Sequence, residues 1–133
     1  MTKRMNNILK GFIIVVLSTL FASCSSHQGI ESVTADEFEN ALYDGHVQLL
    51  DVRSAEEYAQ GHIANAENID VQQPDFIDKA QGKLNHTNPV YVYCRSGKRS
   101  MLAAQKLVKA GFKVVNLRDG IMGWEDAGKP VLP

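Results

Sequence analysis

Cysteine is scarce in this sequence: Cys24 and Cys94 are the only two in 133 residues. Neither they nor the four histidines fall at the spacing of a zinc site, so no metal is expected. Charge of one sign is also missing. The net charge of -1 offers nothing to attract a nucleic acid, and the basic residues are not gathered into a long stripe along the chain. There is no internal repeat, no low-complexity tract and no sign of a second domain. With 22% charged and 8% aromatic residues, the composition excludes a disordered chain and a coiled coil. The longest apolar run, residues 11–22, falls well short of the ~20 residues needed to cross a bilayer.

That run has its own significance. Lys3, Arg4 and Lys10 precede it without any acidic residue, and its length matches the apolar core of a secretory signal. Ala22 and Ser23 then lead into Cys24. This arrangement resembles the lipobox of bacterial lipoproteins, in which the cysteine thiol takes a diacylglycerol and the chain is cut just before it. The expected division is a cleaved signal peptide over 1–23, a polar linker over 24–29 and one domain over 30–133. The expected location is the cell envelope, lipid-anchored through Cys24 to a bacterial membrane and facing the periplasm or exterior. Two acyl chains make a lasting anchor. Plain secretion and an uncleaved anchor helix are the alternatives. Processing would leave eleven basic and fifteen acidic residues, a net charge of -4. Cys94 would then be the only free thiol, with no internal disulfide available, and such a thiol in an exported protein needs burial or a task.

Short strands and helices alternate along the remainder. Thr34 and Glu37, then Ser54 and Glu57, are spaced as capping boxes, predicting helices from Ala35 to about Tyr43 and from Ala55 to Gly61. Strand-length apolar runs occur at 47–52 and 90–93, with further strands or extended segments at 66–71 and 113–117. A weak helix is expected over 75–80, followed by a polar loop over 82–89. The segment 98–109 reads as a helix with Leu102, Ala103, Leu107 and Val108 toward the core, and 120–127 reads as a final short helix carrying Trp124. The alternation predicts an α/β fold with a mainly parallel sheet covered on both faces. Such sheets hold their chemistry at the carboxyl ends of strands, where Asp51 and Cys94 fall.

Cys94 begins the run Cys94-Arg95-Ser96-Gly97-Lys98-Arg99-Ser100, set between a strand and a helix. Gly97 permits a tight curl, successive amides in that curl can point inward as an anion nest, and the helix adds its positive end. A thiol at the centre is expected to have a depressed pKa and to act as a nucleophile. Arg95, Lys98 and Arg99 add positive potential as candidate contacts for an anionic substrate. Ser96 and Gly97 are expected to contribute backbone amides. Ser100 either donates its hydroxyl to the sulfur or caps the helix. Asp51, Arg53 and His62 are read as structural residues near the site, since a thiolate already formed needs no general base.

Several separated motifs resemble the rhodanese family of single-domain thiosulfate sulfurtransferases. They are Leu50-Asp51-Val52-Arg53 with Glu57-Tyr58, Gly61-His62-Ile63, the Cys94 loop itself, and the stretch from Leu117 to Val131 with Gly120, Gly123, Trp124, Gly128 and Pro130. Asp119 stands where the family often has the first glycine of a pair. The resemblance implies a three-layer α/β/α fold around an about five-stranded sheet, and transfer of a sulfane sulfur from thiosulfate or a persulfide donor to a thiol or cyanide through a Cys94 persulfide. It implies no cofactor. Partners would be a small sulfur-containing anion and a thiol acceptor, with no nucleic acid. A persulfide carrier or a rhodanese-like interaction module with little turnover is the alternative. Phosphatases of the same fold place an arginine six residues after the cysteine. Here that position is Ser100, and Arg99 comes one place earlier; the shorter loop suits sulfur better than phosphate.

Overall fold

The computed structural model describes residues 29–133. The expected signal peptide, Cys24 and nearly all of the linker therefore lie outside the described residues. Five strands, β1 (Ile30–Val33), β2 (Gln48–Asp51), β3 (Glu67–Asn68), β4 (Val90–Tyr93) and β5 (Val114–Leu117), alternate with five helices. The helices are α1 (Ala35–Asp44), α2 (Ala55–Gln60), α3 (Phe76–Lys83), α4 (Lys98–Lys109) and α5 (Gly120–Asp126). The strands form one sheet in the order β1-β5-β4-β2-β3, and every pairing is parallel. Among the described residues no helix is long and apolar enough to cross a membrane.

Successive side chains of a strand point to opposite faces, and here the alternation sorts the core into two layers. Leu50, Val52, Val90, Val92, Cys94 and Val114 meet Phe76, Ala80, Ala103, Ala104 and Leu107 of α3 and α4. Leu49, Tyr93, Val115 and Leu117 meet Phe38, Ile121 and Trp124 of α1 and α5, with Tyr58 of α2 packed alongside. The sheet is thus covered on both faces. Cys94 shares the parity of Val90 and Val92, which puts its thiol on the α4 side.

Local sequence explains most boundaries. Ser54 and Glu57 form a complete capping box at the start of α2. At α1 the Thr34 hydroxyl accepts from the Glu37 amide, but the Glu37 carboxylate takes that same hydroxyl as a donor, 3.0 Å away. Two expectations need correction, and one strand was missed. The edge strand β1 was not anticipated, because two of its four residues are exposed and polar and leave no apolar run. Helix α3 continues through Gly82, since Phe76 and Ala80 fasten it to the core, Leu84 packs beside them, and the Leu84 amide still donates to the Ala80 carbonyl at 2.8 Å. Leu102 does not face the core: it is 47% exposed, because the buried side of α4 runs through Ser100, Ala103, Ala104 and Leu107.

Candidate active site

β4 delivers Cys94 to the carboxyl end of the sheet's central strand, between β5 and β2. The thiol is buried, and the Gly97 amide donates to its Sγ at 3.1 Å. That amide stands at the N-terminus of α4, twelve residues long, so the sulfur lies at the positive end of an aligned row of peptide dipoles. Gly97 is itself the N-cap, with φ +107. A Cβ there would come within 2.3 Å of the Arg118 carbonyl oxygen, so both conformation and space demand glycine.

The loop is held from beneath by the start of α5. The Ile121 amide donates to the Cys94 carbonyl at 2.9 Å, and the Met122 amide donates to the Arg95 carbonyl at 3.1 Å. Between them Gly120, at φ +65, presses its backbone onto the loop: a Cβ there would lie 2.2 Å from the Arg95 oxygen and 2.6 Å from the Ser96 nitrogen. Asp119 has a negative φ of -102. A non-glycine residue is therefore accommodated at the position where the motif departs from the family pattern.

The charged residues of the loop divide into two groups. Arg95 and Lys98 are exposed and have no ion-pair partner among the described residues. Arg99 instead makes a two-pronged bond to Glu57, Nη1 to Oε1 at 2.8 Å and Nη2 to Oε2 at 2.9 Å. The hydrogen bond from Arg99, with further support from the Ser54 amide and hydroxyl, holds the Glu57 carboxyl down at about 2. Glu57 in turn raises Arg99. The same carboxylate thus caps α2 and ties it to the first turn of α4. Ser100 is completely buried, and its hydroxyl has no partner among the described residues; it does not cap the helix. Beside Ser96 an open depression is lined by Asp119, Met122, Gly123, Asp126 and Ala127; Asp119 pairs with Arg118 at 3.7 Å, and Asp126 has no ion-pair partner among the described residues.

Asp51 and Arg53 form a buried ion pair against Tyr93, and Arg53 reaches the loop that carries His62. Asp51 is fully buried and accepts from the Arg53 amide at 3.0 Å and from its guanidinium at 2.6 Å. Arg53 also donates to the Gly61 carbonyl at 2.7 Å and lies over the Tyr93 ring. Asn68 closes the group by donating to the Asp51 and Arg53 carbonyls. His62 stacks on Tyr58 and bonds the Tyr58 carbonyl through Nδ1, while its backbone exchanges two hydrogen bonds with Leu132. Three participants escaped sequence reasoning. Glu57 was seen as a cap and as part of a motif, not as the partner of Arg99. Gly120 was seen only as part of a motif. Tyr93 was seen as a strand residue leading into the Cys94 loop, with no role for its hydroxyl, yet that hydroxyl accepts from the Ile63 amide at 3.0 Å, and burial, reinforced by the Asp51 charge, pushes the phenol's pKa up.

The sequence pattern of the rhodanese-like domain matches residues 34–127, most of the chain. The chain belongs to the rhodanese family. This rhodanese is 30% identical over 127 residues to thiosulfate sulfurtransferase 18 of Arabidopsis thaliana, a match covering 86% of this chain and 93% of the relative. It is 32% identical to YrkF of Bacillus subtilis, provisionally described as a sulfur carrier protein, over 77% of this chain; the match spans 55% of that protein's length. A solved rhodanese-like domain from Staphylococcus aureus superimposes with a TM-score of 0.63 at 35% identity, covering 71% of this chain and 90% of that one. The all-parallel, five-stranded architecture is thus a rhodanese fold, and the relatives place the chain among sulfur-transferring proteins.

Proposed function

We propose that this rhodanese is a sulfurtransferase that carries a sulfane sulfur on Cys94. The observation that carries the reading is the Gly97 amide aimed at Sγ from 3.1 Å at the head of α4, an environment that favours a sulfur anion. The Cys94 thiolate attacks the sulfane sulfur of a donor such as thiosulfate. The donor's S–S bond breaks and sulfite leaves with the electron pair. An acceptor thiolate or cyanide then takes the outer sulfur of the Cys94 persulfide, and Cys94 departs as a thiolate. The cycle is ping-pong. Arg95 and Lys98, both exposed, are the cations free to meet the donor's charge. Arg99 acts instead through its bond to Glu57. The buried, unpartnered Ser100 hydroxyl supplies a further donor for the sulfur anion. Asp51, Arg53 and His62 are structural, as their contacts with one another's loops support.

Incubating the protein with thiosulfate and weighing it intact tests this reading. One sulfur should be gained, and Cys94→Ser should gain none; a wild-type protein that gains no sulfur from thiosulfate or any persulfide donor refutes it. A persulfide carrier is the second reading, favoured by the likeness to YrkF. Loading with very slow onward transfer to cyanide and dithiols would select it. From the lipobox-like residues before Cys24, we further propose that the domain is tethered by lipid in the cell envelope. The wild type should partition into detergent, and Cys24→Ala should remain an uncleaved, unacylated precursor; a wild type that partitions into the aqueous phase refutes the tether.

A further inference from the structure

Among the described residues, eleven are lysine or arginine, and they fall into two classes. Arg53, Lys79, Lys83, Arg99, Arg118 and Lys129 each pair with a carboxylate. Arg95, Lys98, Lys106, Lys109 and Lys113 pair with none. All five unpaired cations come from the catalytic loop, α4 and the approach to β5, within a stretch, residues 79–118, that contains no aspartate or glutamate. This concentration lies in a chain whose described residues carry four more acids than bases.

Helical geometry brings most of these charges together. At about 100° per residue, Lys98, Leu102, Lys106 and Lys109 occupy an arc of about 80°, opposite the buried Ala103, Ala104 and Leu107, and the row is about 16 Å long. All four are exposed, and Leu102 gives the row an apolar centre. The sequence hid this row because its members stand four, four and three residues apart. It starts at the N-terminus of α4, where the thiol sits, whereas the α5 flank of the site carries Asp119 and Asp126.

We propose that this face of α4 docks an acidic protein partner that presents a thiol to Cys94. The proposal rests on the sulfurtransferase reading and names its macromolecular acceptor class. Charge complementarity selects the partner: unpaired cations keep their full field for an incoming acidic surface, and the unpaired Asp126 on the α5 flank turns that surface toward α4. An apolar residue ringed by charge is the usual plan of a protein interface. A patch this small gives a weak, short-lived complex, as repeated transfer requires. In the transfer the partner's thiolate forms a bond to the outer sulfur of the Cys94 persulfide. The bond between the two sulfurs on Cys94 breaks, Cys94 leaves as a thiolate, and the partner carries away the persulfide.

The test uses synthetic peptides with one cysteine followed by a run of glutamates, glutamines or lysines, and glutathione as a small acceptor. With persulfide-loaded protein at low salt, the glutamate peptide should accept sulfur about tenfold faster than the glutamine peptide, and the lysine peptide slowest. The advantage should vanish in strong salt and in the double variant Lys106→Glu/Lys109→Glu, whose transfer to glutathione stays at the wild-type rate. Equal rates for the glutamate and glutamine peptides, or an advantage that survives in the double variant, overturns the proposal. So does binding of phosphatidylglycerol vesicles through these lysines without any peptide preference, which would assign the face to a membrane. Anisotropy of a labelled glutamate peptide with serine for cysteine reads docking without sulfur chemistry. A protein that binds it through Lys106 and Lys109 yet never loads sulfur fails the sulfurtransferase reading alone.

Discussion

Replacing Gly120 by alanine should damage the catalytic loop from a position that never touches substrate. A left-handed φ of +65 costs a non-glycine residue about 1–2 kcal/mol. The new methyl carbon would stand 2.2 Å from the Arg95 oxygen and 2.4 Å from its carbonyl carbon. No backbone tolerates that approach, so the loop and α5 must separate by about 1 Å. The hydrogen bonds from Ile121 to Cys94 and from Met122 to Arg95 are then stretched, at about 1 kcal/mol each. The total is about 3–4 kcal/mol, read from urea denaturation. A reacting group displaced by about 1 Å loses on the order of a hundredfold in rate, so thiosulfate loading of Cys94 followed by intact mass should slow by that factor. Gly45→Ala is the control. It carries a similar φ of +74 with no atom within 4 Å of the new carbon, so it should lose only the conformational cost of about 1–2 kcal/mol and load normally. If Gly120→Ala behaves like Gly45→Ala in both assays, the loop does not depend on α5 and the reasoning is wrong.

Two other contacts make separate predictions. Arg99 holds Glu57 down at about 2 from an ordinary 4.5, so the pair's contribution is complete above pH about 4.5 and is lost as the pH falls through about 2. Both side chains are about a quarter exposed, which limits that contribution to about 1–2 kcal/mol. Glu57→Gln should lower the urea midpoint at pH 7 accordingly and converge with the wild type near pH 2; parallel curves across that range would show that the pair contributes nothing. Tyr93→Phe removes the acceptor of the buried Ile63 amide and should cost about 1–3 kcal/mol in thermal denaturation, and an unchanged melting temperature would mean that water replaces the hydroxyl.

The legible part of this molecule was the part written in local pattern. Val90–Tyr93 and Lys98–Lys109 have the bounds expected from β-branched and helix-forming runs, and the Cys94 loop lies between them as its glycine and cations suggest. The edge strand β1 was not legible, because its partner Val114–Leu117 lies more than eighty residues away and its own residues alternate too weakly. The pairing of Arg99 was not legible for the same reason: Glu57, forty-two residues earlier, had already been explained as a helix cap. Leu102 was assigned inward by hydrophobicity, although the helical period puts it among lysines. For β1 and Arg99 the missing information was a long-range neighbour, which spacing along one element does not contain; for Leu102 it lay in the period of α4 itself.

The parity of β4 has a consequence for how such a protein can change. Val90, Val92 and Cys94 share one face, so the side of the sheet on which the sulfur emerges is set before the loop begins. Adding or removing one residue within β4 would send the thiol to the layer of Phe38 and Trp124, and no substitution in the loop would restore it. Residues after Cys94 carry no such constraint. Their number can alter the volume available to a bound anion while the nucleophile stays in place. The scaffold thus separates what must stay fixed from what can be retuned, and a new substrate is reached by lengthening a loop, with the sheet left untouched.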